Sequence, residues 1–309
     1  MCLLEIKGNF GGKMKINIIN VPVMYGSDKN GTEYAPRKLK EAGGLDFAKK
    51  YGHEIVSTRD VYIPISSYYH RFDKNHRIKY LEEVVKINEE LAEKLEKTVK
   101  EDEITMMIGG DHVLGLGSIA GVSKFAKKLA VFWIDAHADI NTEKTSPSAN
   151  AHGMPLAAAI GLGAKELTDI NKNKLNPENV YIIGARDLDP GEVEICRDKK
   201  VNLYEMGKCR TEGISKILDE ALEKVEKDKI DTIHLSFDID ALDRLLVPGT
   251  GTPVSNGFAL EEGIEVIRRI MGTKKVRTID LVEFNPRIDK DDLALKSTLS
   301  LLEAMFKYM

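Results

Sequence analysis

Apolar runs of strand length recur along this 309-residue chain and alternate with segments of helical periodicity. The runs lie at 15–20, 53–57, 104–108, 129–134, 179–183, 201–205, 230–237 and 276–282. Some of them, such as Ile104–Ile108, are apolar at nearly every position, which is typical of strands buried on both faces of a parallel sheet. The pattern therefore predicts an α/β fold with a single, mostly parallel sheet of about eight strands.

Helical patterns separate most of these runs, and a further one closes the chain. They cover 36–43, 75–100, 114–127, 153–161, 211–227, 260–271 and 291–309. Strand alternating with helix places helices on both faces of one sheet, so we expect three layers, αβα. We assign residues 15–309 to one domain and residues 1–14 to a candidate flexible extension. The stretch 139–152 lacks a clear period, and long loops inside compact domains are usually functional.

Charge and cysteine content exclude several classes of protein. Lys and Arg number 45 against 49 Asp and Glu, a net charge of −4, so there is no large basic field to attract nucleic acid or acidic lipid. The 3 cysteines form no C-x-x-C pair and favour a reducing cytoplasm over a disulfide framework. No apolar run approaches the ~20 residues that span a bilayer, and the N-terminus lacks a secretion signal. We therefore expect a cytoplasmic protein that binds neither nucleic acid nor membrane.

Side chains that can hold metal ions follow three of the predicted strands. They are His112, Asp135, His137, Asp139, Asp238 and Asp240. In Asp135–Asp139 and in Asp238–Asp240 they are spaced by two, so that in extended backbone they point the same way. In open parallel sheets, ligands collect beyond the carboxyl ends of the strands, which is where all six residues fall. By contrast, His234 lies inside an apolar run and is expected to be a core histidine.

Four carboxylates and two imidazoles cannot pack together without cations, because each unpaired buried charge costs several kcal/mol. One divalent ion needs fewer protein ligands, whereas two ions that share bridging carboxylates would use them all. A ligand set rich in carboxylate and free of thiolate suits Mn²⁺, with Co²⁺, Fe²⁺ and Ni²⁺ as alternatives. We therefore expect two Mn²⁺ ions per subunit.

The segments Gly109–His112, Asp135–Asp139 and Ser236–Asp240 resemble the three metal motifs of the ureohydrolases. This family includes arginases, agmatinases and formiminoglutamases. The similarity runs across nearly the whole chain from about residue 15, including Gly31–Pro36 and Glu283–Pro286. It implies a three-layer fold around a binuclear metal site and a homo-oligomer, either a trimer or a hexamer.

Two further segments resemble the arginase branch of the family. The loop Asn141–Pro155 follows the second metal motif, where family members differ, and Arg186–Glu192 is similar to a second arginase segment. The resemblance therefore implies an arginase, which hydrolyses L-arginine to L-ornithine and urea by means of a metal-bridging hydroxide.

The resemblance also implies a role for individual residues. One metal would be held by His112, Asp135, Asp139 and Asp238, and the other by His137, Asp135, Asp238 and Asp240. The catalytic residues would be Asp139, which accepts a hydrogen bond from the nucleophile, His152, which shuttles protons, and Glu283, which pairs with the guanidinium group. The substrate α-carboxylate would face Asn141, Ser148 and Asn150, the α-ammonium Asp189 and Glu192, and the guanidinium Thr252.

The chain departs from the family pattern at four positions, which are Ala35, Val113, Ala149 and Arg244. Val113 cannot form a hydrogen bond behind His112, which we expect to alter metal affinity. Ala149 replaces a glycine, which would strain the loop if that position has a positive φ.

Three other functions fit parts of the sequence. Agmatine or another guanidino compound could be hydrolysed by the same metals, but the loop around Ser148 and the pair Asp189 and Glu192 argue against it. A non-catalytic, metal-stabilised scaffold would be favoured by the loss of a ligand, yet each one is present. A dinucleotide-binding enzyme would need G-x-G-x-x-G after the first strand, and the chain has none there.

Overall fold

The computed structural model describes residues 12–309 of the chain. Most of the predicted N-terminal extension, residues 1–11, lies outside the described residues. The strands are β1 (Lys15–Val21), β2 (Glu54–Asp60), β3 (Glu103–Gly109), β4 (Leu129–Ile134), β5 (Val180–Ile183), β6 (Asn202–Tyr204), β7 (Thr232–Asp238) and β8 (Val276–Val282). They form one sheet in the order β2-β1-β3-β8-β7-β4-β5-β6, and every neighbouring pair is parallel. The predicted α/β fold with an eight-stranded sheet is therefore confirmed.

Helices connect the strands. They are α1 (Ala35–Glu41), α2 (Asp46–Lys50), α3 (Leu81–Thr98), α4 (Gly115–Ser123), α5 (Pro155–Ala159), α6 (Lys165–Thr168), α7 (Pro190–Lys199), α8 (Met206–Glu212), α9 (Ile214–Lys227), α10 (Leu260–Met271) and α11 (Leu293–Tyr308). The helices α1, α2 and α8 to α11 pack on one face of the sheet, and α3 to α7 pack on the other. The predicted three layers are present.

Side chains of successive strand residues enter opposite faces. In β4, Phe132 packs with the cluster beneath α8 to α11, whereas Val131 and Trp133 pack with the cluster beneath α3 to α7. All six residues of this strand are buried, as expected for a strand covered on both sides.

Some helix boundaries differ from the prediction. The helix predicted over 211–227 is two helices, because Gly213 has a φ of 86°, a left-handed conformation that ends α8 before α9 begins. The helix predicted from residue 75 begins only at Leu81, after Tyr80 with a φ of 52°. The helices α2, α6 and α7 were not predicted, since two of them are a single turn and α7 shows little amphipathic periodicity.

The fold brings the carboxyl ends of four neighbouring central strands, β3, β8, β7 and β4, to one edge of the sheet. Their ends are nearly level, since Ile108 pairs with Leu281, Asp238 with Val282 and Ile134 with Phe237. The segments that follow these strands therefore meet above the centre of the sheet. No helix within residues 12–309 is long and apolar enough to cross a membrane.

Candidate active site

The six predicted metal ligands come together at this edge. Asp135, Asp139 and His137 follow β4, Asp238 and Asp240 lie at the end of β7, and His112 follows β3. Five of them are buried, and the His137 side chain is 20% exposed. Two groups of three, His112 with Asp135 and Asp139, and Asp135 with His137 and Asp240, each have ligand atoms within 4.8 Å of one another.

His112 is the centre of the first group. Its Nδ1 lies 2.9 Å from Asp135 Oδ2, 3.2 Å from Asp139 Oδ2 and 3.3 Å from Asp238 Oδ2. One nitrogen facing three carboxylate oxygens is the arrangement expected around a divalent cation.

His137 is the centre of the second group. Its Nδ1 lies 3.3 Å from Asp135 Oδ1 and 3.2 Å from Asp240 Oδ2. Asp135 therefore presents one oxygen to each histidine, which is how a carboxylate bridges two ions.

The electrostatics of these groups favour cations. Burial, together with repulsion from neighbouring carboxylates, raises the pKa of Asp139 and Asp240 and raises that of Asp238 well above its usual range. Although burial opposes ionisation of Asp135, the two neighbouring histidines lower its pKa. His112 Nδ1 and Asp135 Oδ2 are 2.9 Å apart, yet neither atom has a well-aligned hydrogen bond. The donor set thus fits two divalent cations, which would take the place of the shared protons.

A buried polar network lies behind the first histidine. The Nε2 of His112 is 2.8 Å from Ser236 Oγ, and the Ser236 hydroxyl donates to Asp280 Oδ2 at 3.0 Å. His112 therefore has a hydrogen-bond partner that does not involve residue 113, and the altered metal affinity expected from Val113 stays a prediction. His234 also contacts Asp280, at 3.0 Å, and is fully buried, as predicted for a core histidine.

Two of the predicted catalytic residues have left-handed backbone. Asp139 has a φ of 49° and Glu283 a φ of 65°. Such conformations cost non-glycine residues about 1 kcal/mol or more and persist where the surroundings hold them in place, often at functional sites. Both segments are held by hydrogen bonds, from Leu156 N–H to the Asp139 carbonyl and from Glu283 N–H to the Gly110 carbonyl.

His152 and Glu283 form a pair beside the first metal group. His152 Nδ1 lies 3.2 Å from Glu283 Oε1, which also accepts the backbone N–H of His112 at 2.8 Å. Burial lowers the pKa of His152, but the hydrogen bond to Glu283 and its negative charge outweigh burial and raise that pKa to about 9. This pKa favours the protonated form of His152 at neutral pH.

A cleft of about 290 Å³ opens from the metal ligands to the surface. It is lined by His137, Asp139, Asn141, Ser146, Pro147, Ser148, His152, Gly153, Asp187, Asp189, Glu192, Asp238 and Thr252. The Thr252 hydroxyl donates to Asp240 Oδ2 at 3.1 Å, so it joins the cleft to the second metal group. Of the predicted substrate-binding residues, only Asn150 is not in this lining.

The loop that carries Asn150 has the strain expected from its sequence. Ala149 has a φ of 60°, and its N–H donates to Ser146 Oγ at 3.1 Å. The Oδ1 of Asn150 accepts a hydrogen bond from Lys79 Nζ at 2.8 Å. The amide oxygen of Asn150 thus faces Lys79.

Asp189 and Glu192 also begin a helix. They form a capping box at the start of α7, in which Glu192 Oε2 accepts the Asp189 N–H at 3.0 Å. Glu192 Oε1 accepts the Ile140 N–H at 3.2 Å, and burial raises the pKa of Glu192 to about 7. The Asn141 amide donates to Asp189 Oδ2 at 2.8 Å. Hydrogen bonds therefore join the start of the loop after β4 to the start of α7, the two segments predicted to recognise the substrate.

Several residues near the site were missed at the level of sequence. Ser146 and Asp187 line the cleft, and Lys79 contacts the loop. Asp187 could have been found from its spacing of two from Asp189 after β5, the same signal as in the metal motifs. Nothing in the sequence around Lys79 marks it.

Comparisons with known proteins agree with the geometry. The model of the arginase family matches residues 14–307. An arginase of Brevibacillus brevis is 37% identical over 293 residues, which cover 94% of this chain and 97% of that protein. A solved structure of arginase from Bacillus caldovelox has a TM-score of 0.89 at 33% identity and covers 95% of this chain and 98% of its own. Entamoeba histolytica arginase, solved in complex with L-ornithine, has a TM-score of 0.87 at 33% identity with the same coverage. The resemblance inferred from the three metal motifs is confirmed.

Proposed function

We propose that this chain, which belongs to the arginase family, hydrolyses L-arginine to L-ornithine and urea. The comparisons confirm the prediction of a hydrolase of this family. The observation that carries the choice of substrate is the cleft, which joins a carboxylate-rich metal site to a second polar cluster. An amino acid with a guanidino group needs both regions, whereas a guanidino compound without an α-carboxylate, such as agmatine, needs only the first.

The cofactor we propose is a pair of Mn²⁺ ions, held by the two groups around His112 and His137. The carboxylate-rich donor set suits Mn²⁺, while Co²⁺, Fe²⁺ and Ni²⁺ share its preferences closely enough to substitute. When bound, two such ions supply the acidity that turns water into hydroxide near neutral pH.

In the proposed reaction, hydroxide adds to the guanidinium carbon, and the C–N bond to the ornithine side chain then breaks. Asp139 accepts a hydrogen bond from the nucleophile and holds its orientation. Glu283 pairs with the guanidinium group, because a carboxylate can accept two parallel N–H···O hydrogen bonds from it. As the intermediate collapses, Asp139 passes its hydroxyl proton to the leaving nitrogen, so that the C–N bond breaks to give urea and a neutral amine. His152, protonated because of Glu283, gives its proton to that amine, so that ornithine departs as an ammonium.

The second cluster would recognise the amino-acid end of the substrate. We propose that Asn141, Ser148 and Asn150 donate hydrogen bonds to the α-carboxylate, and that Asp189 and Glu192 attract the α-ammonium. Thr252, which is bonded to Asp240, would lie near the guanidinium. Uncharged donors for an anion and carboxylates for a cation discriminate against agmatine, because it lacks the carboxylate. Assembly as a trimer or hexamer remains a prediction from the resemblance, and a cytoplasmic location remains a prediction from the cysteine content and the lack of a secretion signal.

The test is a paired assay of the purified full chain. The protein is stripped with chelator and reloaded with Mn²⁺, and urea release is measured from L-arginine and from agmatine. We expect urea from L-arginine, two Mn²⁺ per chain by elemental analysis, and little urea from agmatine. Glu283→Gln, which keeps the shape but loses the charge, should abolish most of the activity while still binding two Mn²⁺.

Other results would change the proposal in distinct ways. Urea from agmatine alone would keep the metal site and overturn the assignment of the second cluster. No urea from either compound, with two metals bound, would overturn the proposed function.

A further inference from the structure

Lys79 holds the substrate loop from outside the cleft. Its ammonium donates hydrogen bonds to Asn150 Oδ1 at 2.8 Å and to Asp28 Oδ2 at 2.5 Å. Its backbone N–H donates to the Ala149 carbonyl at 3.0 Å. The Lys79 side chain is only 11% exposed, and lysine is rarely so buried unless it is paired. The Lys79 ammonium is thus held between the loop and Asp28.

Apart from the histidines and the proposed metal ions, the cleft offers an α-carboxylate no cation among its described lining residues. Among the described residues that line it there is no lysine or arginine, whereas Asp139, Asp187, Asp189, Glu192 and Asp238 are all acidic. Asp187 and Asp189, which are not among the proposed metal ligands, repel an α-carboxylate and so disfavour its binding. The uncharged hydrogen-bond donors of the cleft must therefore be held in place and polarised to overcome this repulsion.

We propose that Lys79 is a positioning residue for substrate selection, which fixes and polarises the loop so that carboxylate-bearing substrates bind. This inference rests on the proposed function. Lys79 occupies Asn150 Oδ1, so the amide is oriented with its NH₂ group as the free end, and no hydrogen bond from that group occurs within residues 12–309. A charge-assisted bond to the amide oxygen makes the NH₂ group a stronger donor.

The same lysine stabilises a strained turn. Ala149, with its φ of 60°, lacks the freedom of glycine at this position, and its carbonyl is fixed by the Lys79 N–H. On the other side, the Ala149 N–H is held by Ser146, and the Asn150 N–H donates to Ser148 Oγ at 3.2 Å. The lysine and the two serines thus set one conformation of the loop between them.

The test is the variant Lys79→Met, which keeps the length of the side chain and the backbone bond but removes the charge. For the Mn²⁺-loaded protein we expect KM for L-arginine to rise about tenfold, equivalent to ~1.4 kcal/mol, with kcat within about twofold of the parent. Competitive inhibition by L-ornithine should weaken by a similar factor, whereas inhibition by putrescine, which lacks the carboxylate, should not change. Lys79→Arg should restore much of the affinity.

Lys86→Met is the matched control. Lys86 lies on α3, is 59% exposed and pairs with Glu82, so its loss should leave KM unchanged. A double-mutant cycle with Asn150→Ala should be non-additive in KM, because both changes remove the same bond. If Lys79→Met does not fold, Asn150→Ala and Lys79→Arg still test the contact.

Two results would overturn the inference. An unchanged KM for L-arginine in Lys79→Met would exclude the lysine from substrate selection. If Lys79→Met lowers kcat and weakens inhibition by L-ornithine and by putrescine equally, Lys79 has only a general structural role. The proposed function fails separately, if the parent protein releases no urea from L-arginine.

Discussion

Ser236 determines which nitrogen of His112 is free to bind a metal. Its single hydroxyl proton is donated to Asp280 Oδ2, so Ser236 Oγ must accept the N–H at Nε2 of His112. The lone pair is then on Nδ1, which faces the carboxylates. Trp133 holds the ring in this plane, stacked at a centroid distance of 3.8 Å and an angle of 7°. The histidine is thus oriented before a metal arrives.

We predict that Ser236→Ala weakens Mn²⁺ binding. Loss of such a supporting hydrogen bond lowers metal affinity by about ten- to a hundredfold. At saturating Mn²⁺, kcat should be close to that of the parent, because no proposed catalytic group is removed. Titration of the metal-free protein with Mn²⁺, followed by calorimetry, measures the affinity directly.

Ser118→Ala provides the control for that prediction. Ser118 is also buried and donates to the same carboxylate, at Asp280 Oδ1, but it has no hydrogen bond to His112. Equal losses of Mn²⁺ affinity in the two variants would show that the carboxylate, rather than the orientation of the histidine, controls binding.

At the scale of elements, Arg186 ties the end of β5 to two segments that follow β7. Its guanidinium donates to the carbonyls of Gly184, Asp240, Ala241, Leu242, Val254 and Ser255, at distances from 2.7 to 3.3 Å. One segment carries Asp240, a proposed metal ligand, and the other lies just after Thr252. Lysine could not reproduce this fork of donors.

We predict that Arg186→Met destabilises the fold and the second metal group together. It leaves several partly buried carbonyls without partners, each worth about 1–3 kcal/mol, so the free energy of unfolding should fall by about 3 kcal/mol or more. Urea denaturation of the metal-free protein measures the loss. Arg244→Met is the control, because Arg244 is exposed at the same surface and its change should cost less than about 0.5 kcal/mol. Similar losses in both variants would contradict the proposed role.

Arg186 also illustrates what sequence patterns can and cannot reveal about elements. Strand runs such as Leu129–Ile134 were found at their correct positions, because burial on both faces leaves a continuous apolar signal. A guanidinium bonded to six main-chain carbonyls leaves no such signal, because carbonyls occur at every residue. Likewise, Asp189 and Glu192 were interpreted as substrate ligands, although the same two residues cap α7. The sequence around a carboxylate in a loop does not show whether that carboxylate will bind a ligand or a backbone N–H group.

At the scale of the molecule, the sequence located the centre of the site better than its rim. The metal ligands alternate along strand ends, a short-range pattern that folding converts directly into convergence. Contacts such as Lys79 to Asn150 join residues 71 positions apart and depend on how two irregular segments pack. No local pattern encodes such a contact, which is why Lys79 appeared only in the structure.

The whole molecule's stability should depend on pH and metal together. Without cations, Asp139, Asp238 and Asp240 have raised pKa values, so above about pH 4 the native form holds more protons than the unfolded chain. The histidine ligands, His112 and His137, also have raised pKa values, and the stability they contribute below about pH 6.5 is lost as pH rises through those values. Both effects lower the stability of the metal-free protein with rising pH.

Bound Mn²⁺ should reverse this loss, because the cations replace the protons and bind the deprotonated ligands. At free Mn²⁺ about a thousandfold above Kd, one site adds ~4 kcal/mol to the free energy of unfolding. We therefore predict that the Tm difference between Mn²⁺-loaded and chelated protein widens between about pH 5 and about pH 8, as linkage requires. Melting curves followed by circular dichroism across that range measure it. The lowered pKa of Asp135 has no effect within this range, since its stabilisation is lost only in stronger acid. A Tm difference that stays constant or narrows with rising pH would mean that these side chains do not exchange protons for metal.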